Sequence, residues 1–283
     1  MKKFNQTGLV IVSILAVLMY FRHEQTPSKP VNATTGLNFI PIVLKNHQDE
    51  LIPFTIKSAC STQIECLNES LVQMSSNHGS YEATLPLNAK VVSLDCGDVC
   101  VADFNEKIME FDPVDQHQVE QVLSYILHEY SIQKITVNLK ESTLHLKEPL
   151  LNHVNFIDAD LHQGKHYQMV MVKDDVLIPV VVRSNSSDFH QVLKDFYENS
   201  SSVQFDTENF QSLNVVMNET LELHLSADAM FQHELLMNDV MPVLFSLQYY
   251  YPNERVKIYV EDVFVEEILL NELTINENKL SDS

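Results

Sequence analysis

The 283-residue chain has no tryptophan and only five glycines. Without tryptophan it lacks the best side chain for stacking against sugars. With so little glycine, a phosphate-cradling loop is not expected. Basic residues are also scarce: 18 Lys and Arg stand against 39 Asp and Glu, a formal net charge of −21. Nucleic acid and anionic lipid surfaces both need a basic footprint, so neither is expected as a main partner. No Gly-x-Ser-x-Gly elbow, His-Glu-x-x-His pair or P-loop occurs in the sequence. Neither an enzymatic activity nor a cofactor is therefore expected.

What the chain does have is a duplicated ground plan. Val92 to Leu139, slid 121 residues along without a gap, falls on Leu213 to Val260. Phe104 meets Leu225, and Val119, Val122 and Leu123 meet Val240, Val243 and Leu244. Tyr130 meets Tyr251, and Lys134 to Val137 meets Arg255 to Ile258. Earlier in each copy, Leu51-Ile52-Pro53-Phe54 matches Leu177-Ile178-Pro179-Val180 at an offset of 126. Two copies are too few for a solenoid, so they read as tandem domains. The length and a hydrophobic content of 45% agree with two domains that each bury a core.

In chain order, residues 1–35 read as an N-terminal transmembrane anchor and a polar linker. Gly8–Phe21 is apolar, follows Lys2 and Lys3, and is closed by Arg22. It is short for a span of about 20 residues and long for a signal peptide's apolar region. No cysteine follows it closely, so a lipoprotein anchor is excluded. An uncleaved anchor with a cytoplasmic N-terminus is expected, with secretion after signal cleavage as the alternative. Both readings place the folded part outside the membrane.

Residues 36–146 form the first domain and 164–272 the second, joined by a linker at 147–163 and followed by an acidic tail at 273–283 that is expected to fray. Each domain reads β-β-α-β-β-α-β, an α+β fold with a small, mostly antiparallel sheet and helices on one face. Proline within each Leu-Ile-Pro phrase favours an edge strand or a bulge there. Ser187 is expected to cap the first helix of the second copy. A weak last strand is expected at Thr143 to Leu146 in the first copy.

These residues carry a family resemblance. Leu51-Ile52-Pro53, Thr84-Leu85-Pro86 before Lys90 to Leu94, the hairpin ending Val101 to Asn105, and the helix from Gln118 to Tyr130 resemble a GerMN domain. The second copy resembles one more weakly: it lacks the Thr-Leu-Pro phrase, and His224 stands where the first hairpin has Asp103. The resemblance implies a fold like ring-building motifs. It also implies a membrane-tethered, extracytoplasmic protein of spore-forming Gram-positive bacteria, with a role in sporulation or germination.

Few residues point to chemistry. His153, Asp158, Asp160, His162 and His166 lie in or beside the linker, where polarity without periodicity reads as linker composition and no metal site is expected. Asp103 follows a strand and reads as a turn or capping residue. Glu266 and Glu267 read as solvated. Cys60, Cys66, Cys96 and Cys100 all lie in the first copy. An even number outside the membrane points to disulfides, with three possible connectivities; a zinc site and free thiols are the alternatives.

Two functions remain: an envelope scaffold that binds other envelope proteins or itself, and a module that binds peptidoglycan or another surface glycan. In the second copy, Met241, Phe245 and Tyr249 repeat every four residues on the helix side opposite its core face. Their counterparts Glu120, Ser124 and His128 are polar. An apolar stripe needs a cover, either a partner or another part of the chain. The expectation is that Met241, Phe245 and Tyr249 form an interaction surface.

Overall fold

The computed structural model describes residues 38–152, 164–199, 212–217, 220–226, 233–260, 262–277 and 279–282. The first repeat opens with β1 (Asn38–Lys45) and β2 (Leu51–Ser58), an antiparallel pair. Asn46 shapes the turn between them, its side-chain carbonyl accepting from the N–H groups of Gln48 and Glu50 at 2.9 Å. Helix α1 (Gln63–Met74) follows, and Thr62 and Glu65 close its start as a reciprocal capping box.

A second sheet comes next. Its strands are β3 (Val91–Cys96), β4 (Cys100–Phe104), β5 (Lys134–Val137) and the short β6 (Lys140–Glu141), in the order β3-β4-β5-β6. Only β4 and β5 run parallel, because helix α2 (Gln116–Glu129) crosses between them. The last strand therefore lies earlier than Thr143 to Leu146. Leu144 instead enters the core.

The second repeat follows the same order. It contains β7 (Lys165–Lys173), β8 (Val176–Ser184), α3 (Phe189–Asn199), β9 (Ser212–Met217), β10 (Leu221–Ser226), α4 (His233–Tyr250), β11 (Arg255–Val260) and β12 (Val263–Leu269). Asp174 and Asp175 both have positive φ, as the tight turn between β7 and β8 requires. The larger sheet has the order β12-β11-β10-β9, with β10 and β11 parallel. At the start of α3, Asp188 takes the capping role rather than Ser187: its carboxylate accepts from the His190 N–H at 3.0 Å.

Alternation and helical spacing explain the core. Leu221, Leu223 and Leu225 of β10, and Val256, Ile258 and Val260 of β11, point one way and are buried. Val119, Val122, Leu123 and Ile126 line one side of α2, as Val240, Val243, Leu244 and Leu247 line one side of α4. Most of the buried hydrophobic residues of both repeats form one continuous cluster.

The repeats meet along β2 and β8, which carry the two Leu-Ile-Pro phrases. Proline has no N–H, so a direct ladder between these strands would be interrupted. Two asparagine amides do the joining. The Asn152 side chain accepts from the Leu51 N–H and donates to the carbonyls of Leu51 and Pro179, each at 2.8 Å. The Asn276 side chain accepts from the Leu177 N–H and donates to the carbonyls of Leu177 and Pro53, also at 2.8 Å. Lys173 spans the same seam, 2.7 Å from Glu50 and bonded to Gln48.

Asn276 belongs to the tail, so the tail docks instead of fraying. It is 5% exposed, and Leu273 and Leu280 pack against the core. The end of the linker is equally fixed. Leu150 and Leu151 are buried, and the Leu151 N–H donates to the Gln168 side chain at 3.1 Å. Among the described residues no helix is long and apolar enough to cross a membrane. Gly8–Phe21 lies outside them.

Candidate functional site

The cysteines form the two local pairs, Cys60–Cys66 and Cys96–Cys100. The first brackets the capped start of α1, and the second ties the β3–β4 hairpin at paired positions. Cys60 and Cys66 are buried, whereas Cys96 is exposed. Neither bridge joins helix to hairpin.

Asp103 is a structural carboxylate. It is buried on β4 and accepts from the Thr136 hydroxyl at 2.6 Å and the Leu139 N–H at 2.7 Å. It thereby holds the β5–β6 turn, where Asn138 and Leu139 both have positive φ. Its role is in the turn, with no helix involved. His153, Asp158, Asp160 and His162 lie outside the described residues. His166 accepts from the Arg183 guanidinium at 3.1 Å. Among the described residues no three His, Cys, Asp or Glu side chains converge on a point that could hold a metal.

The structure sets the helix stripe inside the chain. Phe245 is 5% exposed, and Met241 is half-buried against the core. One turn beyond Phe245, the Gln248 amide donates to the carbonyls of Leu270 and Leu273 at 2.6 and 3.1 Å. The chain after β12 therefore runs along this side of α4. Burial raises the Tyr249 phenol above its ordinary value, and the nearby Tyr250, Glu148 and Glu129 add to the rise. Glu129 ends α2, so Tyr249 sits at the junction of the repeats. Phe245 is thus taken by an internal contact and is not a surface for a partner.

The polar counterpart on α2 is covered in the same way. Glu120 and Ser124 are buried, not wet. Lys147 lies 2.6 Å from Glu120, and its N–H donates to the Ser124 hydroxyl at 2.9 Å. Burial alone would raise the Glu120 carboxyl. Hydrogen bonds from Lys147, Gln116 and the His145 N–H, together with the Lys147 charge, outweigh that and hold it below its ordinary value. In each repeat the chain after the last strand thus hydrogen-bonds to side chains of the second helix, through Glu120 and Ser124 in one copy and Gln248 in the other.

The outer face of the second large sheet carries a row of aromatic rings. His224 on β10 stacks on Tyr259 of β11, with ring centres 4.8 Å apart and planes 7° from parallel. Tyr259 in turn meets Phe264 of β12 edge to face at 5.8 Å. Glu222 lies 3.2 Å from the His224 Nε2. Phe264 and Val263 are 53% and 65% exposed. Sequence reasoning missed this row because its members come from three strands. Period-two alternation in β10 and β11 was the available signal, since it sends His224 and Tyr259 away from the core. Asn152 and Asn276 were missed as well, although each follows the last strand of its own repeat.

No family model matches the chain, and no curated protein matches it. Among solved structures, the first GerMN domain of the sporulation protein GerM from Bacillus subtilis covers 37% of this chain and 86% of its own, at 17% identity and a TM-score of 0.32. The tandem GerMN domains of that protein match over 81% of this chain and 92% of theirs, at 14% identity and a TM-score of 0.59. The fold of this chain is that of tandem GerMN domains.

Proposed function

We propose that the chain is a membrane-tethered, extracytoplasmic scaffold of the cell envelope that acts by binding other proteins, in sporulation or germination. The observation that carries this reading is the seam. Two repeats share one core and are locked by Asn152 and Asn276, which makes a single stiff body out of two small domains. Such a body suits the holding of partners at fixed spacing. Two disulfides favour an oxidising compartment outside the cytoplasm. The apolar run Gly8–Phe21 supplies the tether in this reading, and the solved GerM domains, from a sporulation protein, share the fold.

The test is retention on purified cell wall compared with capture of envelope proteins by crosslinking in intact cells. A scaffold gives specific protein crosslinks and weak retention on wall stripped of protein. Strong retention on stripped wall, without any protein crosslink, would remove the scaffold reading and leave a glycan-binding module.

A further inference from the structure

The two disulfides are embedded in the first repeat to different degrees. Cys60–Cys66 brackets the capping box of α1, and both cysteines are buried. Their backbone is committed there: the Cys60 N–H donates to the Ser58 hydroxyl at 3.0 Å, and the Cys66 N–H donates to the Thr62 carbonyl at 2.9 Å. Cys96–Cys100 instead joins two residues that the β3–β4 ladder already sets opposite each other. Four further pairs hold the strands without it: Val91 with Phe104, Ser93 with Asp103, Leu94 with Ala102, and Asp95 with Val101. Gln133 fixes Cys100 from the other side. Its side chain accepts from the Cys100 N–H at 2.6 Å, and its own N–H donates to the Cys100 carbonyl at 3.0 Å.

The second bridge is also open to attack at one sulfur. Cys96 is exposed, whereas Cys100 is 8% exposed. Gly97 follows Cys96 without a side chain, and nothing lies within 4 Å of the place where a Cβ would stand. β3 is an end strand, and among the described residues no strand pairs with its outer edge. Exposed bridges are the labile ones, and this one opens without taking away the contacts that shape the hairpin.

We propose that Cys96–Cys100 is a redox couple that exchanges its disulfide with an external dithiol. A thiolate of the dithiol attacks the exposed Cys96 sulfur. A mixed disulfide forms, the Cys96–Cys100 bond breaks, and its electron pair goes to the Cys100 sulfur, which takes a proton from water. The second thiolate of the dithiol then attacks its partner sulfur, and Cys96 leaves and is protonated. The dithiol loses two electrons and two protons, and the hairpin gains two of each. The ladder keeps Cys100 beside Cys96 throughout, so Cys100 is the resolving thiol. It expels a monothiol from Cys96 and re-forms the bridge, whereas a dithiol completes the exchange. The site therefore selects dithiols over monothiols. This activity goes beyond the scaffold reading and does not depend on it.

The test treats the folded full chain with reduced thioredoxin, a protein dithiol, and separately with glutathione at equal thiol concentration. Alkylation and peptide mapping identify the opened cysteines. Thioredoxin should open Cys96–Cys100, leave Cys60–Cys66 closed and change the melting temperature by no more than a few degrees. Glutathione should open far less, and oxidised dithiothreitol should close the bridge again. Cys100→Ser removes the resolving thiol, so oxidised glutathione should leave a lasting adduct on Cys96. Cys96→Ser leaves only the buried thiol, and its adduct should form about tenfold more slowly or less. Circular dichroism checks that both variants fold. The proposal is overturned if thioredoxin opens the bridge only where denaturant unfolds the chain, or opens both bridges together. A large fall in melting temperature on opening also overturns it and makes the bridge structural, as do equal adduct rates at the two cysteines. Wall retention and crosslinking test the scaffold reading separately, so the two can fail independently.

Discussion

Asn152 and Asn276 are related by a pseudo-twofold exchange. Each pairs its side-chain amide with both backbone groups of a leucine, Leu51 or Leu177, and spends its second N–H on the proline carbonyl of the opposite repeat. The leucines are equivalent positions of the two repeats, and so are the prolines. Both asparagines have positive φ, 59° and 48°, a region that asparagine tolerates better than most residues. The edge prolines cannot donate to a ladder, but their carbonyls remain acceptors, and an amide from outside both strands supplies the missing donor.

Replacing Asn276 tests this relationship. Asn276→Gly keeps the backbone conformation available and removes the three side-chain hydrogen bonds. It should cost about 1–3 kcal/mol, because the Pro53 carbonyl is left buried without its donor. Asn276→Ala should cost more, since alanine in the left-handed region adds roughly 1–2 kcal/mol. Urea denaturation followed by far-ultraviolet circular dichroism gives both values. An unchanged midpoint for Asn276→Gly would show that the seam does not depend on the amide.

Phe245→Glu separates burial from surface. A carboxylate placed where Phe245 lies has to be desolvated among apolar neighbours, and the expected loss exceeds about 3 kcal/mol. The melting temperature should fall sharply. A variant that melts like the parent would mean that Phe245 is not buried within the chain.

The two disulfides should respond differently to reductant. Freshly isolated protein should show no thiol reactive to alkylation. At low reductant concentration Cys96 and Cys100 should be labelled first, because Cys96 is exposed at a hairpin tip while Cys60 and Cys66 are buried. Peptide mapping of the labelled cysteines decides the order, and earlier labelling of Cys60 would contradict it.

Stability should fall at high pH. Burial pushes the Tyr250 phenol up to about 12 from its ordinary 10.0, and burial likewise raises Tyr130, Tyr197 and Tyr249. A phenol raised in the folded state keeps its proton while the unfolded chain loses it. The stabilisation is complete below pH 10.0 and is lost as pH rises from there through the folded values. Melting temperatures between pH 9 and 12 should decline, and Tyr250→Phe should flatten part of that decline. Glu120 acts with the opposite sense: its carboxyl is held low, so its contribution is lost as pH falls below 4.5.

Much of this protein is determined by the sequence alone. Strands and helices follow from apolar spacing, a property of neighbouring residues, so the duplicated order of elements was legible with Val119 to Ile126 and Val240 to Leu247 as its clearest mark. The edge character of β2 and β8 was legible too, because proline lacks the N–H that a central strand needs. Only the tertiary structure decided which surfaces water keeps. Phe245 on α4 and Glu120 on α2 carry opposite polarity, yet both are buried, because folding brings other parts of the chain against each. Asn276 reads as one polar residue in an acidic tail until Pro53, 223 residues away, is brought within 2.8 Å of it. A contact of that sequence separation has no local period, and so it leaves no pattern for a sequence to show.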